Sequence, residues 1–270
     1  MIKLEQKLLK QITAIAREAG NAIIEIYHQD FEVKKKADNS PLTLADQAAN
    51  EIIISSLRKL TPAIPTLSEE SDMVDYEQRQ DWHEFWLIDP LDGTREFVKK
   101  NGEFTVNIAL ISSSKPVLGV VYAPVPDIMY SAIKGLGAYK EESGSVSGIK
   151  TLKYEGESVT IAASRSHSGD SLAQGIERIK KAEGDVKILC MGSSLKLCLV
   201  AEGKADVYPR LGPTYEWDTG AAHAVVNCAG GKVVDLQGNE LTYNKASLLN
   251  PEFIVQGDIN YSWIKYFHGQ

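Results

Sequence analysis

Phe85-Trp86-Leu87-Ile88-Asp89-Pro90-Leu91-Asp92-Gly93-Thr94-Arg95-Glu96-Phe97 is the stretch whose reading decides the fold. Its four leading apolar residues predict a buried strand. Pro90 has no N–H to give to a sheet ladder, so pairing is expected to stop at Asp89. Leu91 lets Asp89 and Asp92 fold back onto one side of a tight turn. Gly93 permits backbone to come close to a ligand, and Thr94 suits the cap of a short helix beginning at Arg95. Two carboxylates and unpaired N–H groups at a strand's carboxyl end suit the holding of hard cations against an anionic oxygen. A turn held by its own Asx hydrogen bonds explains the same residues without any function.

Upstream, Leu4, Leu8, Ile12, Ile15, Ala19, Ile23 and Ile26 recur at three- and four-residue steps, which predicts an amphipathic first helix. A basic, polar stretch over 31–39 precedes Ser40-Pro41-Leu42-Thr43, the start of a second helix. Ala45, Ala48, Ala49, Ile52, Ile53, Leu57 and Leu60 form its apolar side, and Pro62 and Pro65 end it. Residues 64–67 make a short strand running into Ser68-Glu69-Glu70-Ser71-Asp72. Downstream, strands over 104–111, 117–122, 128–133 and 138–140 are joined by short turns, which predicts an antiparallel sheet flanked by the two helices. The Gly-, Ser-, Glu- and Lys-rich stretch 141–157 has no periodicity and is read as a domain boundary. Beyond it, strands at 159–163, 186–190, 206–208 and 232–234 alternate with helices at 171–181, 194–202 and 218–228, an α/β layer.

The chain has 270 residues, 43% of them hydrophobic and 24% charged, enough to bury a large core. Its formal net charge of -7 disfavours nonspecific binding of nucleic acid. A small anionic substrate remains compatible, because bound cations reverse the field inside a cleft. Cys190, Cys198 and Cys228 have no paired spacing, so buried thiols in a reducing compartment are expected, and neither a disulfide framework nor a zinc site. No apolar run approaches the roughly 18 residues of a transmembrane helix, and the N-terminus is charged where a signal peptide would be apolar. The expected location is cytoplasmic, with peripheral attachment to the inner face of a membrane left open.

The remaining acids have plain structural explanations. Thr43 and Asp46 have the spacing of a capping box. Glu69, Glu70 and Asp72 fit a solvated acidic loop. Asp218 opens a helix and can serve as its cap. Asp89 and Asp92 are harder to dismiss, since crowding such acids without cations costs several kcal/mol in repulsion and lost hydration. Magnesium, with its demand for octahedral oxygen ligands, removes that objection.

These residues resemble the inositol monophosphatase-like family of metal-dependent, lithium-sensitive phosphatases. Trp86-Leu87-Ile88-Asp89-Pro90-Leu91-Asp92-Gly93-Thr94 matches its first motif, and Trp217-Asp218-Thr219-Gly220-Ala221-Ala222 its second. Ser68-Glu69-Glu70-Ser71 and Ser40-Pro41-Leu42-Thr43-Leu44-Ala45-Asp46 match two upstream pieces, so the likeness spans nearly the whole chain. Ala163-Ser164-Arg165-Ser166-His167, Gly192-Ser193-Ser194-Leu195-Lys196 and the block 201–218 resemble the bacterial branch that acts on 3'(2'),5'-bisphosphate nucleotides. The resemblance implies an α/β fold, a layered αβαβα sandwich of the inositol monophosphatase/fructose-bisphosphatase type. Residues 1–145 would be an α+β metal-binding domain and 146–270 an α/β substrate-specificity domain.

By the same resemblance, Glu69, Asp89, Asp92 and the Leu91 carbonyl would bind Mg2+, with Asp218 completing a second site, for two or three ions in all. Asp46 and Thr94 would orient and deprotonate the attacking water, with Glu69 also in the catalytic set. Gly93 and Thr94 N–H groups would hold phosphate oxygens. Asp218, Ser164, Arg165, Ser166, His167, Lys196 and Arg210 would contact the substrate, adenosine 3',5'-bisphosphate, and its sulfated relative would be a side substrate. A surface Arg or Lys is as often merely solvated, Thr94 can act as a helix cap instead, and the Lys34-Lys35-Lys36 run reads as a solvated loop. The implied service is clearing a by-product of sulfate assimilation, as a monomer or homodimer. The rivals are the same chemistry on inositol monophosphate or another sugar phosphate, and a non-catalytic nucleotide- or metal-binding regulator. A structural calcium site is disfavoured, because the acids are dispersed and form no EF-hand loop.

Overall fold

In a computed structural model, residues 2–29, 41–165 and 169–267 are described. Helix α1 (Gln6–Tyr27) buries the stripe Leu8, Leu9, Ile12, Ile15, Ala16, Ala19, Ile23 and Tyr27. Helix α2 (Pro41–Leu60) lies against it and buries Ala45, Ala49, Ile53 and Leu57. A seven-stranded sheet follows, in the order β1 (Thr66–Ser68), β2 (Glu84–Asp92), β3 (Thr105–Ser112), β4 (Lys115–Ala123), β5 (Ile128–Ile133), β6 (Gly137–Glu142) and β7 (Ser145–Ile149). Two short helices, α3 (Tyr76–Arg79) and α4 (Thr94–Val98), flank β2 in the chain. Every pairing in this sheet is antiparallel except β1 with β2, which run parallel.

The second half supplies β8 (Ser158–Ala163), α5 (Asp170–Glu183), β9 (Asp185–Cys190), α6 (Leu195–Ala201), β10 (Val207–Arg210), α7 (Glu216–Ala229), β11 (Lys232–Asp235) and β12 (Phe253–Gln256). Its five strands run in the order β11-β12-β10-β8-β9, a mixed sheet. The buried residues then fall into three slabs. Trp86, Ile88, Val106, Ile108, Leu118 and Val120 of the first sheet face α1 and α2. Phe85, Leu87, Ala109, Ile111 and Val121, on the opposite face, meet α6, α7 and one face of the second sheet. Val159, Ile161, Val207 and Ile254, on that sheet's other face, pack on α5 and on Trp263 and Phe267. The result is a layered αβαβα sandwich, as expected. Because both faces of the first sheet are covered, β2 to β5 are apolar almost throughout.

Several local expectations need correction. Pro90 does not end the ladder: β2 bulges between Asp89 and Asp92, and pairing resumes at Asp92 with Thr105. The bulge takes up the residue that cannot donate, and Asp89 Oδ1 accepts the Leu91 N–H at 3.1 Å. Thr94 is the first residue of α4 and not its cap; Gly93 holds the cap position at φ 93°, with no side-chain cap hydrogen bond. Strand β7 occupies part of the stretch read as a boundary, and the crossing between sheets lies at 150–157. Among the described residues no helix is long and apolar enough to cross a membrane. The three cysteines are free, and Cys190 is exposed where a buried thiol was expected.

Candidate active site

Parallel pairing of β1 with β2 puts the carboxyl ends of both strands side by side. Ser68 is in register with Ile88, and the Glu69 N–H donates to the Ile88 carbonyl at 3.2 Å, so Glu69 and Asp89 emerge together. Ser68 Oγ donates to Asn50 Oδ1 at 2.8 Å, tying this end to α2, which carries Asp46. From the other side α7 delivers Asp218 in its first turn, where Oδ2 accepts the Tyr215 N–H at 2.9 Å. The helix comes close to the sheet because β4 has no side chain at Gly119, where a Cβ would collide with the Ala221 carbonyl. Glu69, Asp89 and Asp218 each offer an oxygen within 4.8 Å of the others.

The electrostatics of this group are those of acids held too close together. Asp89 is fully enclosed, and burial, then the charges of Asp92, Glu69, Asp218 and Asp46, push its carboxyl well above the usual range. Asp46 is pushed up to about 9 by burial and by Glu70 and Glu69. Asp218 is raised to about 8 by burial and Asp92, and Glu69 to about 7 by lost hydration, Glu70 and Asp92. Asp46 Oδ1 is buried without a partner among the described residues. Crowded, all-oxygen donors with raised pKa values and an unpartnered carboxylate oxygen fit a hard dication such as Mg2+.

Asp92 borders this trio and is held by other partners. Its Oδ2 accepts the Ser193 hydroxyl at 2.5 Å and the Ser194 N–H at 2.6 Å. Behind it, Ser194 Oγ donates to Asn107 Oδ1 at 2.8 Å, and Thr105 Oγ1 touches both serine hydroxyls. The family resemblance includes Gly192-Ser193-Ser194, yet sequence reasoning assigns these residues no role. Their signal is a small polar triplet between a strand and a helix.

A cavity of about 200 Å³ opens beside the acids, lined by Asp92, Thr94, Ser164, Lys196, Arg210 and Asp218. Gly93 lines it as well. A neighbouring cavity of about 380 Å³ shares Ser164, Tyr208 and Arg210 with it. Lys196 is buried, donates to the Ser193 carbonyl at 2.6 Å and lies 5.5 Å from the Tyr208 ring centre. Burial lowers its pKa to about 8 against the pull of Asp92. Arg210 Nη2 donates to the Pro213 carbonyl, while its Nε is buried without a partner among the described residues.

Arg165, expected to contact substrate, is paired within the protein. Its guanidinium makes a two-point ion pair with Glu103, Nε to Oε2 at 3.1 Å and Nη2 to Oε1 at 2.6 Å. Ser166 and His167, and the lysines at 34–36, lie outside the described residues.

The model of the inositol monophosphatase family matches residues 4–266 of this chain. A protein of Escherichia coli strain K12 named 3'(2'),5'-bisphosphate nucleotidase CysQ is 51% identical over 251 residues, covering 92% of this chain and 99% of its own. The crystal structure of CysQ from Bacteroides thetaiotaomicron superposes with a TM-score of 0.87 at 42% identity, over 93% of this chain and 97% of that one. An inositol monophosphatase from Zymomonas mobilis shares the fold with a TM-score of 0.79 at 22% identity, over 97% and 98% of the two chains.

Proposed function

The chain belongs to the inositol monophosphatase family, and from that premise we propose that it is a phosphatase converting adenosine 3',5'-bisphosphate and water to AMP and phosphate. The observation that carries this reading is the convergence of Glu69, Asp89 and Asp218 beside a polar cavity that Thr94, Lys196 and Arg210 line. The half-identical relatives named for bisphosphate nucleotides support the choice of substrate.

Glu69, Asp89 and Asp218, with Asp92 and the Leu91 carbonyl, would hold Mg2+. When bound, the metal supplies Lewis-acid stabilisation of the phosphoryl oxygens and of the charge that develops on the leaving oxygen. The protein's own residues do the rest. Gly93, at φ 93°, and Thr94 line the cavity, and their N–H groups would donate to the 3'-phosphate. Thr94 and Asp46, with Glu69, orient the attacking water; its proton passes by way of Thr94 to the Asp46 carboxylate as the P–O3' bond breaks, and the departing O3' takes a proton from solvent. Lys196 and Arg210 supply positive charge for the phosphate that stays on the nucleoside, and the buried Nε of Arg210 has a donor to spare. Ser164 sits where the two cavities meet and borders the nucleoside.

Product analysis tests this directly. Incubation with adenosine 3',5'-bisphosphate and Mg2+ should yield AMP bearing its 5'-phosphate and one phosphate per turnover. EDTA should stop the reaction and excess Mg2+ restore it. Adenosine 3'-phosphate as the product, or turnover unaffected by EDTA, contradicts the assignment.

A further inference from the structure

Glu103 lies just before β3 and outside the acidic cluster, yet both its carboxylate oxygens are engaged. Oε2 accepts the Gly192 N–H at 2.8 Å and Arg165 Nε–H at 3.1 Å, and Oε1 accepts Arg165 Nη2–H at 2.6 Å. Gly192 is pressed against this segment: a Cβ there would lie 2.6 Å from the Glu103 carbonyl oxygen and 2.8 Å from Glu96 Cγ. The next residue, Ser193, has φ 53°, a conformation that residues with side chains rarely adopt. It is pinned from the far side, where its hydroxyl and the Ser194 N–H both donate to Asp92 Oδ2. The turn at 192–194 is therefore gripped at one end by Glu103, and at the other end it grips Asp92.

We propose that Glu103 is a positioning residue of this phosphatase: through the Gly192 N–H it fixes the turn that orients Asp92, and Arg165 braces Glu103 instead of binding substrate. The inference rests on the reading of the acids as a metal site given above. An outer partner of a ligating carboxylate commonly controls metal affinity by about 10- to 100-fold. The Arg165 pair alone would not do this, because it is half exposed and solvent-screened. The backbone donor at Gly192 is what transmits the hold.

The test compares wild type, Glu103→Ala, Glu103→Gln, Glu103→Asp and Arg165→Ala. Calorimetric titration with Mg2+ alone, without substrate, is read beside kcat and KM for the bisphosphate. Glu103→Ala should weaken Mg2+ binding by about 10-fold or more and lower kcat by a similar factor, with KM within about 3-fold. Glu103→Gln keeps an acceptor for Gly192 and should restore both to within about 3-fold. Glu103→Asp, one methylene short of the turn, should lose Mg2+ affinity while melting within a few degrees of wild type; this variant decides the matter if the alanine form does not fold. Arg165→Ala should leave Mg2+ binding, kcat and KM within about 3-fold. Wild-type Mg2+ binding by the alanine or aspartate variant overturns the proposal. So does a glutamine variant as impaired as alanine, or an Arg165→Ala variant whose KM rises by about an order of magnitude. Absence of phosphate release by the wild type would count against the proposed function alone, since the Mg2+ comparison does not depend on turnover.

Discussion

Asp89 is wholly enclosed, and the charges that act on it all come from other acids: Asp92, Glu69, Asp218 and Asp46. Such a residue strains the metal-free protein and is tolerated where bound cations relieve it. Asp89→Asn should therefore lower kcat by at least about 1000-fold while leaving the metal-free melting temperature unchanged or higher; a variant that keeps near-wild-type turnover would remove Asp89 from the metal set. The same crowding sets a pH dependence. Asp46, Asp218 and Glu69 have folded pKa values near 9, 8 and 7, above the usual carboxylate range of the unfolded chain. The folded state then holds more protons than the unfolded one across that interval, so stability falls as pH rises from about 4 to about 9. Metal-free protein should melt lower at pH 8.5 than at pH 6, and saturating Mg2+ should raise the melting temperature more at the higher pH. A Mg2+ increment independent of pH would contradict it. These acids were legible because each sits in a compact motif of a few adjacent residues. Glu103 and Ser193 were not, since their partners lie 89 and 101 positions away in the chain. The Arg165 pair was hidden for the same reason: a sequence shows a cation but not the carboxylate 62 residues off that engages it.

At the scale of elements, the site exists because short pieces end in the right place. Strand β1 is only three residues long, yet its parallel register carries Glu69 to Asp89. Helix α7 is set in turn by Glu216, wholly buried two residues before Asp218. The Glu216 carboxylate accepts Lys245 Nζ at 2.5 Å and the N–H groups of Asn244 and Lys245 at 2.7 and 3.0 Å. Glu216→Ala strands those donors and should cost about 2–4 kcal/mol in denaturant unfolding, with a loss of turnover at permissive temperature. A change under about 0.5 kcal/mol would show that the loop holds without it. The long helices and the interior strands were readable from periodicity and length. Strand β12 (Phe253–Gln256) was not among the strands read. Strand β7 escaped because Ser145–Ile149 is short, carries two serines and a glycine, and is almost all exposed. The bulge at Pro90 went unseen because proline forbids one ladder bond and not the next, and only the register across β3 reveals the resumption.

Across the whole molecule, the middle layer decides how the halves relate. Helices α6 and α7 come from the second half of the sequence, yet they cover Phe85, Leu87, Ala109 and Ile111 of the first sheet. We propose that 1–145 and 146–270 share the metal and substrate roles, with Asp218 of the second part among the metal ligands, and that neither part is an independent folding unit. Residues 1–149 expressed alone should lack a cooperative thermal transition and bind a hydrophobic dye, because one face of the sheet is stripped; a sharply melting, dye-silent fragment would contradict this. The layered class was readable from the alternation of elements, whereas the sharing of α7 between two sheets is a tertiary fact with no local signature. Both halves of the chain meet at one cavity, where Asp92 and Asp218 line the wall together with Lys196 and Arg210. The most direct test is therefore kcat/KM for phosphate release with Mg2+ from adenosine 3',5'-bisphosphate, inositol 1-phosphate and fructose 1,6-bisphosphate, all under one condition. A preference for the nucleotide of at least ~100-fold is expected, about 2.7 kcal/mol of transition-state discrimination. Equal or better turnover of either sugar phosphate would contradict it.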